Sequence, residues 1–173
     1  MNYPVLSQII ENTFQGTHAI KINITVSPSL FQALNKSISD IHRQITNSKQ
    51  MVAGTTNRDF WKSVFVGGLY TYNISKADVS LTYYVIPRSQ ITTQHIQQIR
   101  LRIKKVVWSY IQIEETPPPQ ENELFNLQQT GIRFIGKGHY HKNNINLNPQ
   151  EHQVAANANI GAYLSANGIT QGI

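Results

Sequence analysis

The sequence predicts an α+β fold, a two-layer sandwich in the ferredoxin-like order β-α-β-β-α-β, with an extra N-terminal helix and an extended polar C-terminal arm. Three observations predict it. A period-2 run, AIKINITV, is followed at once by a helical stripe. Two β-rich runs, KSVFVGGLYTYN and ADVSLTYYVIP, come next, and the second leads into a long apolar-periodic run, TTQHIQQIRLRIKKVVWSYIQ. Two helices on one face of an antiparallel or mixed sheet would bury the isoleucine stripes of both.

In chain order, Pro4 sits in a first-turn position and Val5, Leu6, Ile9, Ile10 and Phe14 recur at helical spacing, with Gly16 just beyond. They describe a short amphipathic helix. From Ala19 to Val26, Ile20, Ile22, Ile24 and Val26 alternate with Lys21, Asn23 and Thr25, which marks a half-buried strand. Ser27 supplies a capping hydroxyl, Pro28 fits the first helical position, and Leu30, Phe31, Leu34, Ile38, Ile41 and Ile45 trace one stripe. The spacing predicts a single helix over 28–46. Residues 47–58, with Gly54, Thr55, Thr56 and Asn57, read as a loop.

Val64 and Val66 alternate with Phe65 and lead to Gly67 and Gly68, a bulge or close backbone approach, before the strand resumes over 69–72. A short turn at 73–76 makes a hairpin. Val79, Leu81, Tyr83 and Val85 share one face of its second strand and Ser80, Thr82 and Tyr84 the other, and Pro87 ends it. Thr92 or Thr93 caps the next helix, whose core stripe is Ile96, Ile99, Ile103, Val106 or Val107, and Tyr110. Ile99, Leu101 and Ile103 also alternate with Arg100, Arg102 and Lys104, a competing strand pattern that length argues against. EETPPPQENE, with four of the nine acids, predicts a stiff acidic connector over 114–125. Residues 130–135 make one more strand, closing a core domain of 1–136. Residues 137–173 form a polar arm, with a weak helix from about Asn148 to Gly168.

The composition narrows function. A chain of 173 residues is long enough for one real core. Only 14% of it is charged, its polarity coming from Asn, Gln, Ser and Thr, a surface suited to a subunit packed on several sides. The absence of cysteine removes disulfides, thiolate zinc sites and cysteine nucleophiles. The N-terminal run lacks a charged leader and no stretch has transmembrane length, so the expected location is the cytoplasm or a virion, away from any membrane. A net charge of +6 favours phosphates or acidic partners.

Two constellations carry candidate chemistry. His139-Tyr140-His141 places two histidines at i and i+2, on one face of a strand, where they can chelate a metal or act as an acid–base pair beside a tyrosine nucleophile. This faintly resembles the histidine pair of single-strand nicking enzymes. The nearest acid is Glu151, so the plainer reading is an exposed pair. Arg100, Arg102, Lys104 and Lys105, with Arg88 before them and Lys137 and Lys142 after, can line a face for nucleic acid or an acidic partner; the plainer reading is a solvated helix face. Tyr70, Tyr72, Tyr83 and Tyr84 are base-stacking candidates, more simply explained by packing. The lone histidines His18, His42, His95 and His152 read as polar-face residues. Gly67-Gly68 and the glycines at 136 and 138 lack the spacing of a phosphate loop.

An N-terminal helix, a strand, then ADVSLTYYVIP followed at once by TTQHIQQIRLRIKKVVWSYIQ resembles the layout of tailed-phage tail-terminator and neck (head–tail completion) proteins, small α+β subunits that form rings capping the tail tube. The resemblance is organisational and spans residues 1–136; the Pro-rich connector and C-terminal tail depart from it. It implies a homo-oligomeric ring with arms reaching neighbouring subunits. The expectation is a non-enzymatic assembly subunit, with copies of itself and other subunits as partners and no cofactor. The alternative is a nucleic-acid-binding protein or metal-dependent nuclease using the basic helix and the pair His139 and His141.

Overall fold

The computed structural model describes residues 6–120, 131–135 and 138–141. It is an α+β fold of helices on a mostly antiparallel sheet. The elements are α1 (Leu6–Phe14), β1 (Ala19–Val26), α2 (Pro28–Leu34), α3 (Ile38–Asn47), β2 (Met51–Val52), β3 (Thr55–Thr56), α4 (Asn57–Val64), β4 (Phe65–Ile74), β5 (Val79–Pro87), α5 (Thr93–Val106), β6 (Tyr110–Thr116), β7 (Gly131–Ile135) and β8 (Gly138–His141). Six strands form the main sheet in the order β6-β1-β5-β4-β7-β8, and β2 and β3 form a separate small hairpin.

All five pairings in the main sheet are antiparallel. It follows that β1 and β4 run parallel with β5 between them, and that β5 and β6 run parallel with β1 between them. Each parallel pair needs a crossover, and the helices supply both.

β1 is an interior strand, paired on both sides. Ile20, Ile22, Ile24 and Val26 meet Val85, Tyr83, Leu81 and Val79 of β5 in continuous register, and all eight are buried. From the helical layer, Phe31 of α2, Ile38, Ile41 and Ile45 of α3, Phe60, Trp61 and Val64 of α4, and Ile99, Ile103 and Val106 of α5 join the same core. Each such apolar side chain withdrawn from water contributes about 2 kcal/mol before chain entropy is set against it. On the other face, α1 touches β4, and its buried Ile9, Ile10 and Phe14 stand apart from the main core.

Several expectations change. The single helix over 28–46 is two helices, because Asn35 adopts a left-handed conformation (φ 51°) and Ser37 starts a new helix through a capping box with Asp40. The expected loop over 47–58 holds the β2–β3 hairpin, turning through Ala53 and Gly54 at positive φ, and the first residues of α4, which Thr56 caps. The predicted start of β4 at Val64 moves to Phe65, since Val64 closes α4.

The largest change is at the end of α5. The helix stops at Val106, and residues 110–116 form β6 against β1. Tyr110 is therefore exposed on an edge strand, outside the core stripe where the helical spacing put it, and the connector expected from 114 onward contributes Glu114, Glu115 and Thr116 to that strand. The strand expected at 130–135 is β7, and it pairs with β4, on the far side of the sheet from β1. Residues 138–141, expected in the arm, pair with β7. The remainder of the arm, with its expected helix after Asn148, lies outside the described residues.

Gly68 explains the close approach expected at the glycine pair. A Cβ there would collide with the backbone of β5, meeting the carbonyl oxygen of Tyr84 and the Cα of Val85, the latter at 2.8 Å, and its φ is +156°. The register between β4 and β5 shifts just before it, between Phe65 and Gly67.

Candidate functional site at the corner of α5 and β6

The predicted basic face does not survive as one surface. Lys104 and Lys105 are exposed in the last turn of α5, where cations are favoured by the carbonyl end of a helix. Arg100 is half-buried and its Nη1 donates to the carbonyl of Ile111 at 2.7 Å, tying α5 to β6. Arg102 points the other way. It is fully buried, so the expected contact of Arg102 with nucleic acid or an acidic partner is replaced by a structural role.

That role is specific. Nη1 of Arg102 donates to the carbonyl of Thr55 (3.0 Å) and Oδ1 of Asn57 (2.9 Å), and Nη2 donates to the carbonyl of Val52 (3.0 Å) and Oε1 of Gln98 (3.2 Å). Its guanidinium lies over the ring of Phe60, 4.2 Å from the centroid. Among the described residues no carboxylate pairs with it. Burial lowers its affinity for the proton, and four neutral acceptors together offset the desolvation.

The α2–α5 layer holds a second buried polar group. His42, expected on a polar face, is buried, its ring stacked on Tyr70 with centroids 4.0 Å apart and its Nδ1 3.0 Å from the hydroxyl of Tyr83. Burial, and then the neighbouring Tyr70, raises Tyr83 well above the ordinary tyrosine range. Tyr70, Tyr72, Tyr83 and Tyr84 are all buried, so none presents a ring for base stacking. His95, also expected to be unremarkable, accepts the Thr92 backbone N–H at Nδ1 and closes a capping box at the start of α5.

What α5 and β6 present together is an exposed apolar and basic corner. Trp108 is 73% exposed, Tyr110 67% and Leu101 47%, and Lys104 Nζ lies 5.8 Å from the centre of the Trp108 ring. Beside this corner runs the outer edge of β6, which is bonded to β1 through seven consecutive residue pairs; among the described residues no strand pairs with its other side, where Arg100 holds the carbonyl of Ile111. The sequence pattern hid it: Val106, Val107, Tyr110 and Ile113 continue the helical spacing of α5, while the alternation of Ile111 and Ile113 with Gln112 and Glu114 was the signal for a strand.

His139, Tyr140 and His141 lie in β8, opposite Arg133, Ile132 and Gly131 of β7. β8 and β6 are the two opposite edges of the sheet. Five strand spacings of about 4.8 Å separate them by roughly 24 Å. The histidine pair and the α5 lysines therefore belong to different edges of the molecule. Arg88, exposed, donates from Nε to the carbonyl of Lys62 at 2.8 Å, while Lys137, Lys142 and Glu151 fall outside the described residues. Among the described residues no cluster of three or more potential ligands could hold a metal ion, and no helix is long and apolar enough to cross a membrane.

No protein-family model matches this chain, and neither a curated protein nor a solved structure matches it.

Proposed function

We propose that this protein is a non-enzymatic assembly subunit that joins other protein subunits through the α5–β6 corner. The observation that carries the reading is the outer edge of β6, which no strand pairs among the described residues, beside exposed Trp108, Tyr110 and Leu101. A sheet edge offers unpaired backbone donors and acceptors, and aromatic side chains at its margin are the residue types that anchor protein interfaces. The uncharged polar surface suits a subunit in close contact with neighbours. The organisational likeness to tail-terminator and neck proteins supplies the kind of assembly, a virion component built from repeated copies. Light scattering at several concentrations, alone and with candidate assembly partners, tests the reading. The expected result is self-association or partner binding that is lost in Trp108→Ala with Tyr110→Ala; a strict monomer that binds nothing would sink it.

One observation favours a second reading, nucleic-acid binding. Lys104 lies beside the exposed ring of Trp108, and the next residue, Lys105, is also exposed, so a cation adjoins a stacking surface. In this reading the corner binds strands by charge and stacking, independently of His139 and His141. Binding to single- and double-stranded DNA and RNA, measured across salt concentrations with divalent metal present, separates the two readings. Tight, salt-sensitive binding abolished by Lys104→Glu with Lys105→Glu would favour the second.

A further inference from the structure

The main sheet turns one face to α2–α5 and the other away from them, and the second face has two halves. Next to β4, which α1 touches, it is closed: Leu69, Thr71 and Tyr84 are buried. Across β6, β1 and β5 its side chains stay within reach of solvent.

Register sorts those side chains into rows. Thr25 lies between Tyr110 of β6 and Ser80 of β5, and Asn23 lies between Gln112 and Thr82. Ile22 and Ile24 belong to the core, so Asn23 and Thr25 share the opposite face with their partners. Neighbours within a row stand about 4.8 Å apart, and the two rows about 6.7 Å apart along the strands. In the second row Oγ1 of Thr82 donates to Oδ1 of Asn23 at 3.4 Å, which leaves the Nδ2 hydrogens of Asn23 for a ligand.

The chemistry of this half narrows what it can bind. Of the fifteen Lys and Arg in the chain it carries Lys21, and register sets Glu114 directly opposite, so the two charges cancel. A phosphate-bearing strand needs an excess of cations and finds none here. A lipid surface or an apolar helix needs a contiguous apolar patch, and these rows supply amides and hydroxyls instead. Such groups donate and accept at once, as do the hydroxyls of a neutral sugar. Tyr110, 67% exposed at the end of the first row, adds a ring that can lie against the C–H face of a sugar.

From this we infer that the open half of the sheet binds a neutral glycan. Asn23, Gln112, Thr25 and Thr82 bond the hydroxyls of a short run of pyranose units, and Tyr110 stacks on one ring. The inference goes beyond the assembly reading and meets the α5–β6 corner at Tyr110.

The test is calorimetric titration of the full chain with neutral oligosaccharides: cello-, malto-, xylo-, manno- and N-acetylated chito-oligomers. Heparin and oligothymidylate serve as charged controls. Binding to at least one neutral oligomer, unchanged by added salt, is expected. Asn23→Ala and Gln112→Ala should each weaken it about fivefold, and Tyr110→Ala about tenfold, with Tyr110→Phe keeping most of the affinity. Gln112 is exposed, so its truncation leaves the core untouched. Trp108→Ala, outside the rows, should leave glycan affinity as it is. No binding across the panel would overturn the inference, and so would binding confined to heparin or oligothymidylate. A glycan affinity that neither Asn23→Ala nor Gln112→Ala moves would overturn it as well. Each of these failures leaves the assembly reading standing on its own test, which follows self-association and partner binding.

Discussion

Nη1 of Arg102 donates to Oδ1 of Asn57 at 2.9 Å in a setting where both residues are fully buried. Asn57 in turn uses its Nδ2 to hold the carbonyl of Gln44 (2.9 Å) and Oγ of Ser48 (3.2 Å) at the end of α3. This one pair thus joins α5, the β2–β3 hairpin, α4 and α3. Its partners are uncharged, so the cost of burying the guanidinium is met by hydrogen bonds to neutral acceptors and by the Phe60 ring beneath it.

Removing either member should be costly. Arg102→Met leaves the carbonyls of Val52 and Thr55 without their donor and should lower unfolding free energy by about 3 kcal/mol; Asn57→Ala should cost about 2 kcal/mol. Arg102→Lys should recover little, since a single ammonium cannot span acceptors arranged for a planar fork. Urea unfolding of the two single mutants and the double mutant checks this, with a cost clearly below the sum of the singles as the expected sign of coupling.

A second prediction concerns alkaline pH. Tyr83 has a folded-state pKa raised well above 10.0, by burial first and then by Tyr70. Its protonated form is therefore favoured by folding, so the stability it contributes is complete below the unfolded value of about 10 and is lost as pH rises from there through the folded value. Tyr83→Phe should cost about 1 kcal/mol at neutral pH through the lost bond to His42, and should flatten the fall in stability above pH 10. Thermal unfolding from neutral to strongly alkaline pH, alongside tyrosinate absorbance, measures both.

Gly68→Ala should be the most damaging small substitution in the sheet. The added methyl would meet the β5 backbone, with Val85 Cα at 2.8 Å, and neither backbone can yield without breaking the central ladder. A loss of more than about 3 kcal/mol is expected. Gly54→Ala, at φ +82° with open space around it, should cost only about 1 kcal/mol, and denaturant midpoints for the two variants separate steric conflict from backbone strain.

The two tryptophans report separate regions. Trp61 is 3% exposed in the core and Trp108 is on the α5–β6 corner. Trp108→Ala should change stability by no more than about 0.5 kcal/mol and leave a blue-shifted, poorly quenched emission from Trp61. If the corner is a contact surface, the wild type's Trp108 signal should shift to the blue when the protein associates, and acrylamide quenching follows that directly.

Much of the core was legible because β1 alternates strictly, β5 alternates over its first half, and helical stripes such as Ile99 and Ile103 repeat at one spacing. The α+β class follows from those patterns alone. What the pattern concealed shares a physical cause. The break at Asn35 and Ser37 costs the stripe nothing, because Ile38, Ile41 and Ile45 keep their buried side through the new cap. β6 was hidden by an apolar spacing that suits helix and strand alike until Val107 leaves helical geometry. Arg102 and His42 escape the pattern because polar residues are ordinarily placed outside, and only their tertiary acceptors and stacking partners reveal otherwise. At the candidate site, charge alone points to Lys104 and Lys105, while Trp108 and Tyr110 need the end of α5 to be known.

The interior position of β1, between β5 and β6, bears on how the chain is made. Ile22 pairs with Tyr83 on one side and Ile113 on the other, so the first strand of this sheet to leave the ribosome is among the last to be enclosed. Most of the described sequence must be synthesised before its second neighbour exists. Local helices form early, and the sheet closes late, through contacts distant in sequence that slow folding and leave strand edges exposed to other nascent chains. A chain cut short before β6 is complete would keep β1 at a bare margin, which makes premature termination in this stretch a route to aggregation rather than to a smaller folded protein.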